Sequence, residues 1–200
     1  FTQTAQALDA LGYRYELDAY QPCANAMCSP LFPNHLELAI NDQFAPAAAF
    51  LDDATVDRNP SHVTYVREPS RDHPELQLVA DHAYWVSALK LRDATSRGQI
   101  DAISHGAGGG EPVSTPLPSG TGTLTGGNMG ALTFVRSGRT WTTTPGPVAD
   151  RLEITATNLS AATIDVKRAS LTCNAKVDIT SDGPIDVTLA GCNRVVKGGT

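Results

Sequence analysis

The chain has 200 residues, room for one large domain or two small ones, with 41% hydrophobic and 18% charged side chains, as in an ordinary globular protein. A formal charge of -6 and an aromatic content of 6% argue against a nucleic-acid partner: an acidic chain gains nothing by releasing phosphate counterions and offers few rings for stacking bases. No apolar run approaches the roughly 20 residues that span a bilayer, so no membrane span is expected.

Phe1 rather than Met opens the chain and no signal peptide is recognisable, which points to a processed product. The four cysteines form two sequence-local pairs, Cys23 with Cys28 and Cys173 with Cys192. An even count in such pairs predicts disulfides, an oxidising compartment and hence a secreted protein. A zinc site fits less well, because neither pair is C-x-x-C and no histidine stands at finger-like spacing beside one. No metal and no cofactor are expected.

Thr2 to Leu11 reads as a helix, with Ala5, Leu8 and Leu11 at helical spacing and Gly12 as its stop. From Gly12 to Tyr20, Tyr13, Tyr15 and Leu17 alternate with Arg14, Glu16 and Asp18, the pattern of a strand. A loop follows from Gln21 to Asn34. Leu36 to Leu51 is helical in composition, with Pro46 placed to break or kink it. Helix, strand, loop, helix is an α/β rhythm.

His62 to Arg67 is a short β-like run, and Leu76 to Leu91, with Tyr84, Trp85 and Val86, suits a strand or strand pair. Nine of the seventeen glycines fall between Gly106 and Gly130, with Pro112, Pro116 and Pro118, so residues 106–130 read as a Gly/Pro/Thr-rich loop. The last fifty residues alternate in period two around Leu152 and Ile154, Ile164 and Val166, Val177 and Ile179, and Ile185, Val187 and Leu189. One face buried and one wet, repeated over short strands, predicts an antiparallel sandwich or jelly roll. Ser181 to Pro184 reads as a hairpin turn setting Val177 against Val187 and Ile179 against Ile185, with Cys173 and Cys192 meeting at the open end. No internal repeat of solenoid period is read from the chain. The expected architecture is therefore α/β followed by all-β, with an α/β domain over residues 1–60 and a β-rich domain over 61–200.

His35, in Asn34-His35-Leu36-Glu37-Leu38-Ala39, stands between a strand-plus-loop and a helix. A catalytic imidazole needs such a loop at the edge of a sheet, where one nitrogen faces a nucleophile and a carboxylate holds the other. The plain alternative is a helix-capping or loop histidine. His62, His73 and His105 are too irregularly spread to nominate a metal site, and Asp81 and His82 are read as adjacent strand residues on opposite faces. Asn158-Leu159-Ser160 fits a glycosylation sequon.

Residues 7–17 (Ala-Leu-Asp-Ala-Leu-Gly-Tyr-Arg-Tyr-Glu-Leu), followed by the loop and by His35 to Ala39, resemble the C-terminal end of an α/β-hydrolase domain. In that fold the last helix, last strand and catalytic-histidine loop come in this order. Asn41 to Phe44, Val56 to Pro60 and Asp81 to Val86 look similar to secreted actinobacterial hydrolases of the peptidase or esterase type, which carry a C-terminal β domain. The resemblance implies a serine hydrolase cleaving ester or peptide bonds, with His35 as general base and then general acid. The chain departs from the family in having no Gly-x-Ser-x-Gly elbow. Ala102 to Gly106 is the nearest match, and it runs from Ser104 into glycines rather than a helix. The resemblance places the serine and the acid upstream of Phe1, so the partner it implies is the N-terminal part of the same precursor. Asp18 and Asp42 are local candidates for the acid and also read as solvated or capping residues. The rival reading is a non-catalytic secreted β module for adhesion, carbohydrate binding or self-assembly. The enzyme reading needs Gly12 to Tyr20 at the edge of a truncated parallel sheet, and the module reading needs a core closed by these residues alone.

Overall fold

The computed structural model describes residues 2–20, 44–52, 55–124 and 132–199. In chain order its elements are α1 (Thr2–Ala10), β1 (Tyr15–Tyr20), α2 (Ala45–Asp52), β2 (His62–Arg67), β3 (Val86–Leu91), β4 (Gly98–Ser104), β5 (Pro112–Pro116), β6 (Gly120–Leu124), β7 (Leu132–Thr143), β8 (Arg151–Thr157), β9 (Leu159–Asp165), β10 (Lys176–Ser181), β11 (Ile185–Ala190) and β12 (Arg194–Gly198). Two compact units result. One takes Phe1–Val56 with Pro112–Thr142, and the other takes Asp57–Glu111 with Thr143–Thr200. The stretch 112–142 is thus inserted, in sequence, between two neighbouring strands of the second unit.

In the first unit α1 ends where Gly12, at φ +72°, turns the chain, with Tyr13 N donating to Leu8 O at 2.9 Å. β1 then pairs antiparallel with β7, from Tyr15 opposite Arg139 to Tyr20 opposite Phe134. On the other edge of β7 lie β5 and β6, with Gly120 opposite Arg136 and Leu124 opposite Leu132. The sheet is a long hairpin augmented by β1, and none of its described pairs is parallel.

That pairing overturns the expected α/β-hydrolase sheet. The helix and strand near the N-terminus are both present, but the strand joins an antiparallel sheet rather than the rim of a parallel one. Local alternation makes a strand; the distant partner, β7, decides its direction. The Gly- and Pro-rich stretch read as a loop also holds two strands, β5 and β6. Here Gly122 does specific work: a Cβ on it would come within 2.3 Å of the Phe134 ring, so only glycine lets that ring lie across β6.

The second unit is a β-sandwich of two four-stranded sheets, ordered β10-β8-β4-β2 and β12-β11-β9-β3. The alternation read from the sequence holds: Leu152, Ile154 and Ala156 of β8, Leu159 and Ile164 of β9, and Ile185, Val187 and Leu189 of β11 all face one core. Ile100 and Ala102 of β4, Val86 of β3, Val63 of β2 and the neighbouring Trp85 complete it. Each large side chain so buried contributes about 1.5–3 kcal/mol.

The expected wholly antiparallel topology is corrected. β10 lies parallel to β8, with Lys176 opposite Arg151, and β11 lies parallel to β9, with Asp186 opposite Ala161. Both ladders therefore run at one offset of 25 residues. Segments 151–165 and 176–190 are two turns of a coil, each giving one strand to each sheet. The expected β10–β11 hairpin does not form, because Ser181 to Pro184 is a corner passing from one sheet to the other. A 25-residue repeat is thus present after all. Arg151-Leu152-Glu153-Ile154-Thr155-Ala156 aligns with Lys176-Val177-Asp178-Ile179-Thr180-Ser181, and Thr163 with Thr188.

Asn158 makes the equivalent corner of the first turn. At φ +54° its side-chain amide donates to the carbonyls of Asp93, Ser96 and Arg97 at 3.0–3.2 Å, while its Oδ1 accepts from Asp93 N at 2.9 Å. Both side-chain polar atoms of the sequon asparagine are thereby engaged with backbone, and its own N–H donates to the Asp182 carboxylate at 3.0–3.1 Å. Cys173 and Cys192 form a disulfide, as expected, across a sequence separation of 19. It ties the connection after β9 to the turn after β11, and by loop-entropy arithmetic contributes about 3 kcal/mol.

Candidate functional site

The outer face of the sheet β10-β8-β4-β2 carries a row of paired polar residues. Because β2 pairs with β4 so that His62 faces Ile103 and Thr64 faces Asp101, His62 and Thr64 share that face with Asp101. His62 Nε2 lies 3.0 Å from both Asp101 carboxylate oxygens, and its Nδ1 lies 2.9 Å from Glu111 Oε1. Thr64 Oγ1 donates to Asp101 Oδ2 at 2.6 Å. Partial burial pulls the His62 pKa down, but hydrogen bonds and charge from Asp101 and Glu111 outweigh it and raise the value above 6.5. Burial likewise pushes the Asp101 carboxyl up, and Thr64 and His62 more than offset that, holding it below the ordinary value.

An imidazole donating from both nitrogens is a cation with no lone pair left to accept a proton. The arrangement is a clamp between β2, β4 and the loop that leads to Pro112. His62, with a raised folded pKa, contributes most below the unfolded value of 6.5, and that contribution fades as pH climbs through the folded value. The stability lost in His62→Gln, read as a urea midpoint, is therefore expected to be largest near about pH 5 and to shrink toward about pH 9. A difference that grows with pH would contradict the clamp.

Further along the same face basic and acidic side chains alternate and pair. His105 Nε2 meets Glu153 at 3.0 Å, Arg151 meets Glu153 at 2.9 Å and Asp178 at 2.8 Å, and Lys176 meets Asp178 at 3.1 Å.

The first unit presents a different surface. One face of β1 and β7 carries Tyr15 opposite Arg139, and two residues further on in the same register Tyr13 stands beside Trp141. The two ring centroids are 6.4 Å apart, tilted by 43°. Tyr13 is 50% and Trp141 43% exposed. Trp141 Nε1 donates to Gly12 O at 2.9 Å, which fixes the indole. Arg139 bridges Asp9 at 3.1 Å and Ser114 Oγ at 2.8 Å, giving the rings a polar border.

Comparison with protein families, curated proteins and solved structures returns no match for this chain.

Of the residues singled out in the sequence, His35, Cys23, Cys28 and Asp42 lie outside the described residues. Cys173 and Cys192 are joined. Asp18 is neither solvated nor capping, for Arg136 grips it through two bonds of 2.7 Å. His82 and Asp81 do meet, at 3.2 Å, because they precede β3 instead of lying in a strand, and His82 is open to solvent. Ser104 is buried in β4, its hydroxyl donating to Ala169 O. Among the described residues no group of three or more His, Cys, Asp or Glu is arranged to hold a metal. The Tyr13–Trp141 pair carried no signal in the sequence: its members are 128 positions apart and meet only through the β1–β7 register.

Proposed function

We propose that this chain is a non-catalytic, secreted β module that binds an extended ligand. The observation that carries the reading is the contiguous buried core of the sandwich, to which strands of both sheets contribute within residues 57–111 and 143–199. The disulfide supports an oxidising compartment. The described histidines with carboxylate neighbours are hydrogen-bonded to them, and among the described residues none is hydrogen-bonded to a serine hydroxyl. No described helix is long and apolar enough to cross a membrane.

The test is co-sedimentation of the purified chain with insoluble polymers (cellulose, chitin, peptidoglycan and collagen) alongside labelling with a fluorophosphonate. Binding to at least one polymer without label is expected. Binding to none of the four, or a fluorophosphonate adduct on a serine of this chain, would overturn the reading.

A further inference from the structure

We infer that Tyr13 and Trp141 form a stacking shelf for a neutral polysaccharide, an inference that rests on the binding-module reading above. Two half-exposed aromatic rings side by side, one pinned through its own N–H, form a pre-arranged apolar surface at little entropic cost. Because the indole N–H is already spent on Gly12 O, Trp141 offers a ligand only its ring face. The ligand must therefore present flat C–H faces rather than acceptors. The border must be met by hydroxyls: Asp9, the Tyr15 phenol and Arg139 lie along it.

The charge pattern selects a neutral ligand. Arg139 is already paired with Asp9, and the neighbouring Arg136 with Asp18 and Glu16, so neither cation is left for an anion. Linked pyranose rings combine these features, with apolar faces and hydroxyl edges. A groove of about 410 Å³ between α1 and the sheet shares Asp9 and Tyr15 with that border and is lined further by Gln6, Leu17 and Ser137.

The molecule has two tryptophans, and Trp85 is buried at 1% exposure, so the solvent-accessible tryptophan signal belongs to Trp141. Cellohexaose and chitohexaose are the probes. At least one of them at about 1 mM is expected to protect the chain from acrylamide quenching. Trp141→Ala and Tyr13→Ala are each expected to weaken binding about tenfold or more, measured by calorimetry. Tyr13→Ala leaves the Trp141–Gly12 bond in place and so separates a binding loss from a folding loss. Unchanged affinity in both variants, or protection by a proline-rich peptide and by neither oligosaccharide, would overturn the shelf while leaving the binding-module reading intact. A chain that binds none of the insoluble polymers would fail that earlier reading instead.

Discussion

Replacing Trp85 with alanine is expected to cost the sandwich unit roughly 3–5 kcal/mol, a large share of the 5–15 kcal/mol that typically separates folded from unfolded. Trp85 sits one residue before β3, is 1% exposed, and packs in the core with Val63, Ile164 and Leu189. Truncation removes the largest side chain of that cluster and leaves a cavity that rigid strands on both sheets can only partly close. The indole also donates from Nε1 to Pro60 O at 2.6 Å, holding the segment that leads into β2. Trp85→Phe keeps most of the volume and loses that bond, so it is expected to cost less, about 1–2 kcal/mol. Urea unfolding followed by circular dichroism gives both values. A loss below about 1 kcal/mol for the alanine variant would mean that the side chain is not a core element.

Gly106→Ala is the second large effect, at roughly 3 kcal/mol or more, the upper end of overpacking costs. The reason is steric and involves backbone alone. A Cβ at position 106 would lie 1.9 Å from the carbonyl oxygen of Ser170 and 3.2 Å from that of Ala169. No rotamer change can relieve it. The two segments are drawn together by the buried Ser104 hydroxyl, which donates to Ala169 O and accepts from Gly106 N at 3.2 Å. The end of β4 is thereby locked against the connection between the two turns of the coil. Ser104→Ala removes the lock without adding bulk and is expected to cost about 1–3 kcal/mol, the desolvation penalty of groups left unpaired. If Gly106→Ala unfolds at the same urea concentration as the parent, the close approach of the two backbones is wrong.

The comparison of these two sites shows why some features are readable in a linear sequence. Trp85 is large and apolar within a β-prone run, and burial is the default expectation for it. Gly106 stands in a glycine-dense stretch that reads as loop, and nothing around it announces that residue 170 will arrive within van der Waals distance. The 25-residue repeat is an intermediate case. Its signal is present in Leu152-Glu153-Ile154-Thr155 against Val177-Asp178-Ile179-Thr180. The same alternation also fits an antiparallel hairpin, which is the simpler local solution and the wrong one. A period of two identifies the buried face and carries no information about which strand lies alongside or in which direction.

The candidate sites divide in the same way. His62 was visible as a histidine, but its role as a doubly donating clamp depends on Asp101 and Glu111, 39 and 49 positions away. Tyr13 read as one member of an alternating strand. Its neighbour Trp141 lies on β7, a strand that local pattern did not single out.

Composition and local periodicity alone determined that the last fifty residues are short alternating strands with one buried face, that Thr2–Ala10 is a helix stopped by glycine, that His62–Arg67 is a strand, and that Cys173 pairs with Cys192. These follow from forces acting within a turn or a strand: the amphipathic period, the freedom of a glycine backbone and the closure of a short covalent loop. Only the tertiary structure decided that β1 runs antiparallel to β7, that β8 to β11 wind as a coil, and that residues 112–142 belong with the N-terminal unit. Each of those outcomes is a choice among partners that present equivalent hydrogen-bonding edges. Long-range packing of side chains selects between them, and that energy is not written in any single window of the chain.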